Sequence, residues 1–222
     1  MPEHLKTKPP SYGHLRLLVQ ALAFAAVLAS ASHAAARTLR VVTLGDSLTA
    51  GLGLAPGKAF PDRLEAALRA KGWDVKVMNA GVSGETAADG LARYEWAVPP
   101  DADALIIELG ANDMLRGHSP GATKAALAAI LERARAAHLP ALLAGMRPAP
   151  NLGADYGREF SAIYPALAKT YGVQLYPFFL DGVAGDPKLN QPDGLHPTAE
   201  GVELIVQKIL PSVEALMKQV NR

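Results

Sequence analysis

The chain of 222 residues contains no cysteine. Disulfides, thiolate metal sites and a thiol nucleophile are excluded together. A domain of this length does not need a covalent staple, so the absence leaves the redox compartment open. Aromatic residues are scarce, at 6 %, and no basic run carries them interleaved. Neither sign of charge dominates, with 22 Lys and Arg against 21 Asp and Glu. The electrostatic footprint of a nucleic-acid-binding protein is therefore missing. Long apolar runs are also missing, with one exception near the amino terminus.

That exception is residues 17–28, almost wholly apolar and broken only by Gln20. A polar stretch with His4, Lys6, Lys8, His14 and Arg16 precedes it, and small residues from 29 to 36 follow. This is the order of a secretory signal peptide, with A-x-A-like sites at Ser32-His33-Ala34 and Ala34-Ala35-Ala36. The apolar part is short of the ~20 residues that a bilayer span requires, although a retained anchor stays open as the alternative. No cysteine stands ahead of the mature segment to carry a lipid. Residues 1–36 are thus expected to be cleaved, leaving a periplasmic or secreted protein with no stable membrane anchor. Residues 37–222 are expected to form one domain, and nothing in them demands a partner, so a monomer is expected.

Within that segment, strand-like apolar runs alternate with helical patterns. The runs predict strands over 39–44, 75–79, 104–109, 141–145 and 173–176. The patterns between them predict helices over 60–71, 86–96, 121–138, 155–171 and 198–219. Repeated β-α units of this length imply a parallel sheet covered by helices on both faces. The strands are continuous apolar runs, as doubly covered strands should be. Pro- and Gly-rich stretches at 145–157 and 181–197 read as long functional loops.

The densest signal lies where the first strand ends, in Gly45-Asp46-Ser47-Leu48. In open α/β sheets, ligands bind at the carboxyl ends of the strands, and a serine delivered there is a candidate nucleophile. An isolated serine in such a place reads equally as a helix N-cap. Its weight comes from Asp193-Gly194-Leu195-His196 near the other end of the chain. Gly194 permits a tight turn, so a carboxylate three residues before the imidazole reaches Nδ1–H and leaves Nε2 for Ser47. That is the Ser-His-Asp logic, which is recognised by role and not by position. Two further strand ends supply donors. Gly84 follows the second strand and is expected to open a helix with unpaired N–H groups. Asn112, in Gly110-Ala111-Asn112-Asp113, follows the third and offers an amide. A backbone N–H and an amide N–H suit a developing oxyanion.

These four segments resemble the signature blocks of the SGNH (GDSL-type) hydrolases, and the resemblance runs from about residue 39 to the end. It is nearest to the secreted acyl-CoA thioesterase I, lysophospholipase and arylesterase group, whose connecting segments Leu115-Arg116-Gly117, Met146-Arg147 and Pro177-Phe178-Phe179 resemble. It implies a three-layer flavodoxin-like α/β fold with a five-stranded parallel sheet, and a serine esterase or thioesterase without metal or organic cofactor. It also implies roles: Ser47 as nucleophile, His196 as base, Asp193 as its partner, and Ser47, Gly84 and Asn112 as oxyanion donors. The expected substrates are small acyl esters, acyl thioesters or lysophospholipids of short to medium chain. Leu48, Met114, Leu152, Phe178, Phe179 and Leu180 are expected to line the acyl groove. This chain has Ala111 and Met114 where that group often has glycine, so Met114 is expected to narrow or reshape the groove, which leaves the preferred chain length open.

Two rivals remain: a carbohydrate O-deacetylase with the same site, and a flavodoxin-like binding domain without catalysis. Plainer readings hold for other residues. Asp46 reads as a cap or loop-fixing group, and Asp113 as a supporting one. Asp101 and Asp103 precede their strand and read as solvated groups at the opposite rim. His118 and His138 read as surface residues, and Trp73 and Trp96 as packing residues. Gly51-x-Gly53 lacks the third glycine of a dinucleotide site, and Gly57-Lys58 lacks the spacing of a P-loop.

Overall fold

A computed structural model describes residues 37–220, and the expected signal peptide lies outside the described residues. Five parallel strands form one sheet: β1 (Leu39–Gly45), β2 (Val75–Gly81), β3 (Ala104–Glu108), β4 (Ala141–Ala144) and β5 (Gln174–Tyr176), in the order β2-β1-β3-β4-β5. Eight helices accompany them among the described residues: α1 (Ser47–Ala50), α2 (Phe60–Ala70), α3 (Ala87–Ala92), α4 (Tyr94–Ala97), α5 (Ala111–Leu115), α6 (Pro120–Ala136), α7 (Ala154–Tyr171) and α8 (Ala199–Val220).

The three central strands are apolar on both sides because both sides are covered. Every residue of β3 is buried, as are Val41, Val42 and Leu44 of β1 and all of β4. Helix α2 packs on α8, whereas α6 packs on α3 and α7. These two groups cover opposite faces, which gives the three layers expected. β3 and β4 were legible from continuous apolar runs, whereas the edge strands β2 and β5 are interrupted by Lys76, Asn79 and Gln174. The expected helix over 86–96 is two short ones, because the backbone turns at Arg93. That side chain is buried and donates to the carbonyls of Gly45 (3.1 Å) and Ala80 (2.7 Å) and to Glu85.

Register explains why chemistry collects at one edge. Gly45 of β1 stands opposite Gly81 of β2 and Glu108 of β3, and Glu108 stands opposite Ala144 of β4. The residues that follow each strand therefore leave the sheet at one level. The chain runs from β1 out to β2 and then crosses back to β3 on the other side of β1, which makes β1/β3 a topological switch point. Asp103 corrects an expectation. It is buried and accepts from the Arg40 N–H at 2.7 Å, fastening β1 to the segment entering β3, while Asp101 pairs with the Arg40 guanidinium. Trp96 also differs: it is 73 % exposed, with the Arg93 guanidinium over its ring. No helix among the described residues is long and apolar enough to cross a membrane.

Candidate active site

Ser47 is the first residue of α1, immediately beyond the end of β1. The turn that presents it is fixed by Asp46, whose carboxylate caps the helix by accepting from the Leu48 N–H at 3.0 Å. Asp46, and not Ser47, is thus the cap, so the serine hydroxyl is left for other work. Gly51 ends the helix in the left-handed region (φ 82°), with its N–H on the Ser47 carbonyl.

The Ser47 hydroxyl lies 2.9 Å from His196 Nε2, and His196 Nδ1 lies 2.6 Å from Asp193 Oδ2. An ionised carboxylate only accepts, so Nδ1 carries the proton and Nε2 faces the hydroxyl as an acceptor. Two backbone N–H groups, of Leu195 (2.9 Å) and His196 (3.0 Å), converge on Asp193 Oδ1. These two, followed by the imidazole, hold the Asp193 carboxyl down at about 2. It is ionised throughout the neutral range. Gly194 (φ 71°) makes the turn, and an antiparallel bridge between Asn190 and Pro197 closes the base of the loop. Gln191 ties that loop back to the nucleophile segment, donating to the Leu52 carbonyl at 2.8 Å and the Pro197 carbonyl at 2.9 Å. Its role escaped the sequence reading, since a lone glutamine in a loop carries no pattern.

Asn112 sits in the first turn of α5, after Gly110. Its Nδ2 donates to Asp46 Oδ2 at 3.1 Å and to the Glu85 carbonyl at 3.0 Å. Gly84 adopts a left-handed conformation (φ 85°) and its carbonyl accepts from Arg116 at 2.6 Å. It does not open the next helix as expected. Thr86 caps α3 in a reciprocal pair with Asp89, leaving Gly84 in the preceding turn. The Val82 N–H donates to the Gly45 carbonyl at 3.1 Å, which docks this turn against the end of β1. Asp113 is a supporting residue: its carboxylate accepts from the Ala87 N–H (2.8 Å) and the Thr123 hydroxyl (3.1 Å), locking α5 to α3 and α6.

Beside Ser47 an open groove of about 370 Å³ runs between α5 and the loops after β4 and β5. Leu48, Met114, Phe178 and Leu180 line it, as expected. Phe179 does not. It is fully buried with its ring 5.0 Å from that of Phe60, whereas the neighbouring Phe178 takes the groove side. Leu152 is also outside the lining and packs against the core. Met146, Arg147 and Pro148 form a wall that sequence reading placed only as a loop of unknown shape. Met114 is pinned there, its sulfur accepting from the Ala149 N–H at 3.1 Å. No group of metal-ligating side chains occurs among the described residues.

Residues 43–204 match the model of the GDSL-like lipase/acylhydrolase family. Esterase TesA of Pseudomonas aeruginosa is 39 % identical over 186 residues, which cover 83 % of this chain and 92 % of that protein. The thioesterase 1/protease 1/lysophospholipase L1 of Escherichia coli K12 is 38 % identical over 192 residues, covering 86 % of this chain and 90 % of the other. Among solved structures, AlinE4, an SGNH-hydrolase family esterase, superposes with a TM-score of 0.69 at 46 % identity, over 81 % of this chain and 96 % of that one.

Proposed function

Because the chain belongs to the GDSL-like lipase/acylhydrolase family of ester hydrolases, we propose that it is a serine esterase and thioesterase acting through an acyl-enzyme on Ser47. The observation that carries this reading is the continuous relay from Ser47 through His196 to Asp193, with separations of 2.9 and 2.6 Å. Ser47 Oγ attacks the acyl carbonyl carbon while its proton passes to Nε2. Asp193 stabilises the imidazolium that results. The tetrahedral oxyanion is taken by the N–H groups of Ser47 and Gly84 and by the Asn112 amide. Its collapse expels the alcohol or thiol, which leaves with the proton from Nε2. Water, deprotonated by the same imidazole, then releases the acid and restores Ser47.

The apolar groove favours acyl chains of short to medium length over a lone acetyl group, and Met114 and Phe178 supply its walls. Thioesters and lysophospholipids share the acyl-enzyme and belong to the proposed range. Cleavage of residues 1–36, a periplasmic or secreted location and a monomeric domain over 37–222 complete the proposal.

Exposure to a serine-directed phosphonate, read by intact mass, tests the chemistry directly. One adduct on the wild-type protein and none on Ser47→Ala is expected. Hydrolysis by the alanine variant should fall by about 10⁴–10⁶ in kcat, because members of such a relay act as a unit. Retention of more than about a tenth of wild-type turnover would remove Ser47 from the mechanism. A series of matched esters and thioesters from acetate to palmitate tests the range, and strict acetate preference would favour a carbohydrate deacetylase instead.

A further inference from the structure

Asn112 has two amide hydrogens, and in this structure each faces an acceptor: Asp46 Oδ2 at 3.1 Å and the Glu85 carbonyl at 3.0 Å. An oxyanion entering the site must take one of them. The two acceptors differ in what they lose. Asp46 is fully buried, and its other oxygen is already committed to the Leu48 N–H. Removing Asn112 would leave a buried carboxylate oxygen bare, the costlier case for a hydrogen bond. The Glu85 carbonyl lies in a partly exposed turn, where water can replace the amide.

We propose that the Asp46 carboxylate is the positioning residue of the Asn112 amide, holding one N–H throughout the reaction so that the other, parked on the Glu85 carbonyl in the free protein, is the one that passes to the oxyanion. This rests on the reading of Asn112 as an oxyanion donor. The arrangement requires an ionised Asp46. Burial is the largest influence on that carboxyl and pushes it up to about 6. The Leu48 N–H, His196 and the Asn112 amide oppose the rise, while Asp113 on α5 adds to it. Glu108 on β3 and the Arg93–Glu85 pair beside Gly45 complete the charged surroundings. Protonation of Asp46 removes the strong acceptor and frees the amide to rotate. Activity at low pH then needs two protons absent, one from the imidazole and one from Asp46.

Asp46→Asn tests this with little change of shape. With its oxygen kept on the Leu48 N–H, the asparagine turns an NH₂ group toward the NH₂ of Asn112. Turnover per phosphonate-titrated site is expected to fall by about 10- to 100-fold, with KM within about twofold. In the wild type, log kcat is expected to steepen toward a slope of about two below about pH 6, and in the variant to keep a slope of about one. Turnover per titrated site within about threefold of wild type would overturn the proposal. A slope of one in the wild type across the whole acid limb would overturn it too, and that measurement requires no variant. A wild-type protein that neither hydrolyses esters nor takes up phosphonate would instead sink the serine-esterase reading.

Discussion

Asn112 and Asp193 meet the same demand in opposite electrostatic settings. Asp193 is an exposed carboxylate fixed by two backbone N–H groups, so its stabilising contribution is present above the ordinary carboxyl range and is lost only as the pH falls through about 2. The carboxylate therefore stays ionised in neutral buffers. Asn112 is neutral, and its value is geometric. On the proposed mechanism Asn112→Ala removes one donor to the oxyanion and leaves the relay intact, so kcat is expected to fall by about 10²–10³ with KM little changed, as steady-state kinetics on a chromogenic ester will read. A rise in KM with kcat unchanged would mean that the amide binds substrate and transition state equally. Ser47, Asp193, His196 and Asn112 were legible because each sits in a short motif whose turn residues dictate where the side chain points. Phe179 was misread for the opposite reason. Adjacent apolar residues in a loop carry no sign of which one turns inward until the core that receives Phe179, here Phe60, is in place. The partnership of Asp46 with Asn112 was out of reach because it depends on how two strand-end turns dock on each other, which neither motif carries.

At the scale of elements, the long helices and the strands announced themselves by period and length, whereas α1 and α5 did not. Four or five residues cannot show a helical period, and both exist because a strand end must turn sharply. Gly110 is the hinge of the second turn. Its φ of 115° suits glycine, and a Cβ there would collide with the Tyr164 hydroxyl, which donates to the Leu109 carbonyl at 2.9 Å. Gly110→Ala is therefore expected to displace α5 from α7 and carry Asn112 with it, lowering both Tm and kcat. Tyr164→Phe removes the colliding atom and is expected to restore part of the lost stability when combined with Gly110→Ala, the remaining deficit reporting backbone strain. Melting temperatures of the two single variants and the double variant form the cycle that measures this. Strict additivity would show that the hydroxyl is not what the alanine meets.

For the whole molecule, the alternation of runs and helices dictated three layers around a parallel sheet, but it could not reveal which groups the sheet would bury. Glu108 is the clearest case. The last residue of β3, it is fully buried, with Oε2 accepting from the Thr49 hydroxyl at 2.7 Å and Oε1 without a partner. Burial, with the neighbouring Asp46 carboxyl adding to it, raises Glu108 well above the ordinary range. The native state therefore holds a proton that the unfolded chain releases once the pH passes about 4.3, the ordinary glutamate value. More protons bound in the native state means that stability falls as pH rises from there toward the raised value. The carboxyls shifted the other way, those of Glu65, Asp89, Asp181 and Asp193, are mostly solvated, so screening keeps their opposing contribution small. Glu108→Gln cannot titrate. Its amide meets the same unpartnered position as Oε1, which offsets its melting curve by a constant but not by a slope. The difference in Tm between the variant and the wild type is accordingly expected to shift in favour of the variant from pH 5 to pH 8. Parallel Tm–pH curves would show that Glu108 keeps the same protonation on unfolding, and the buried carboxyl would then have no hold on the stability of the fold.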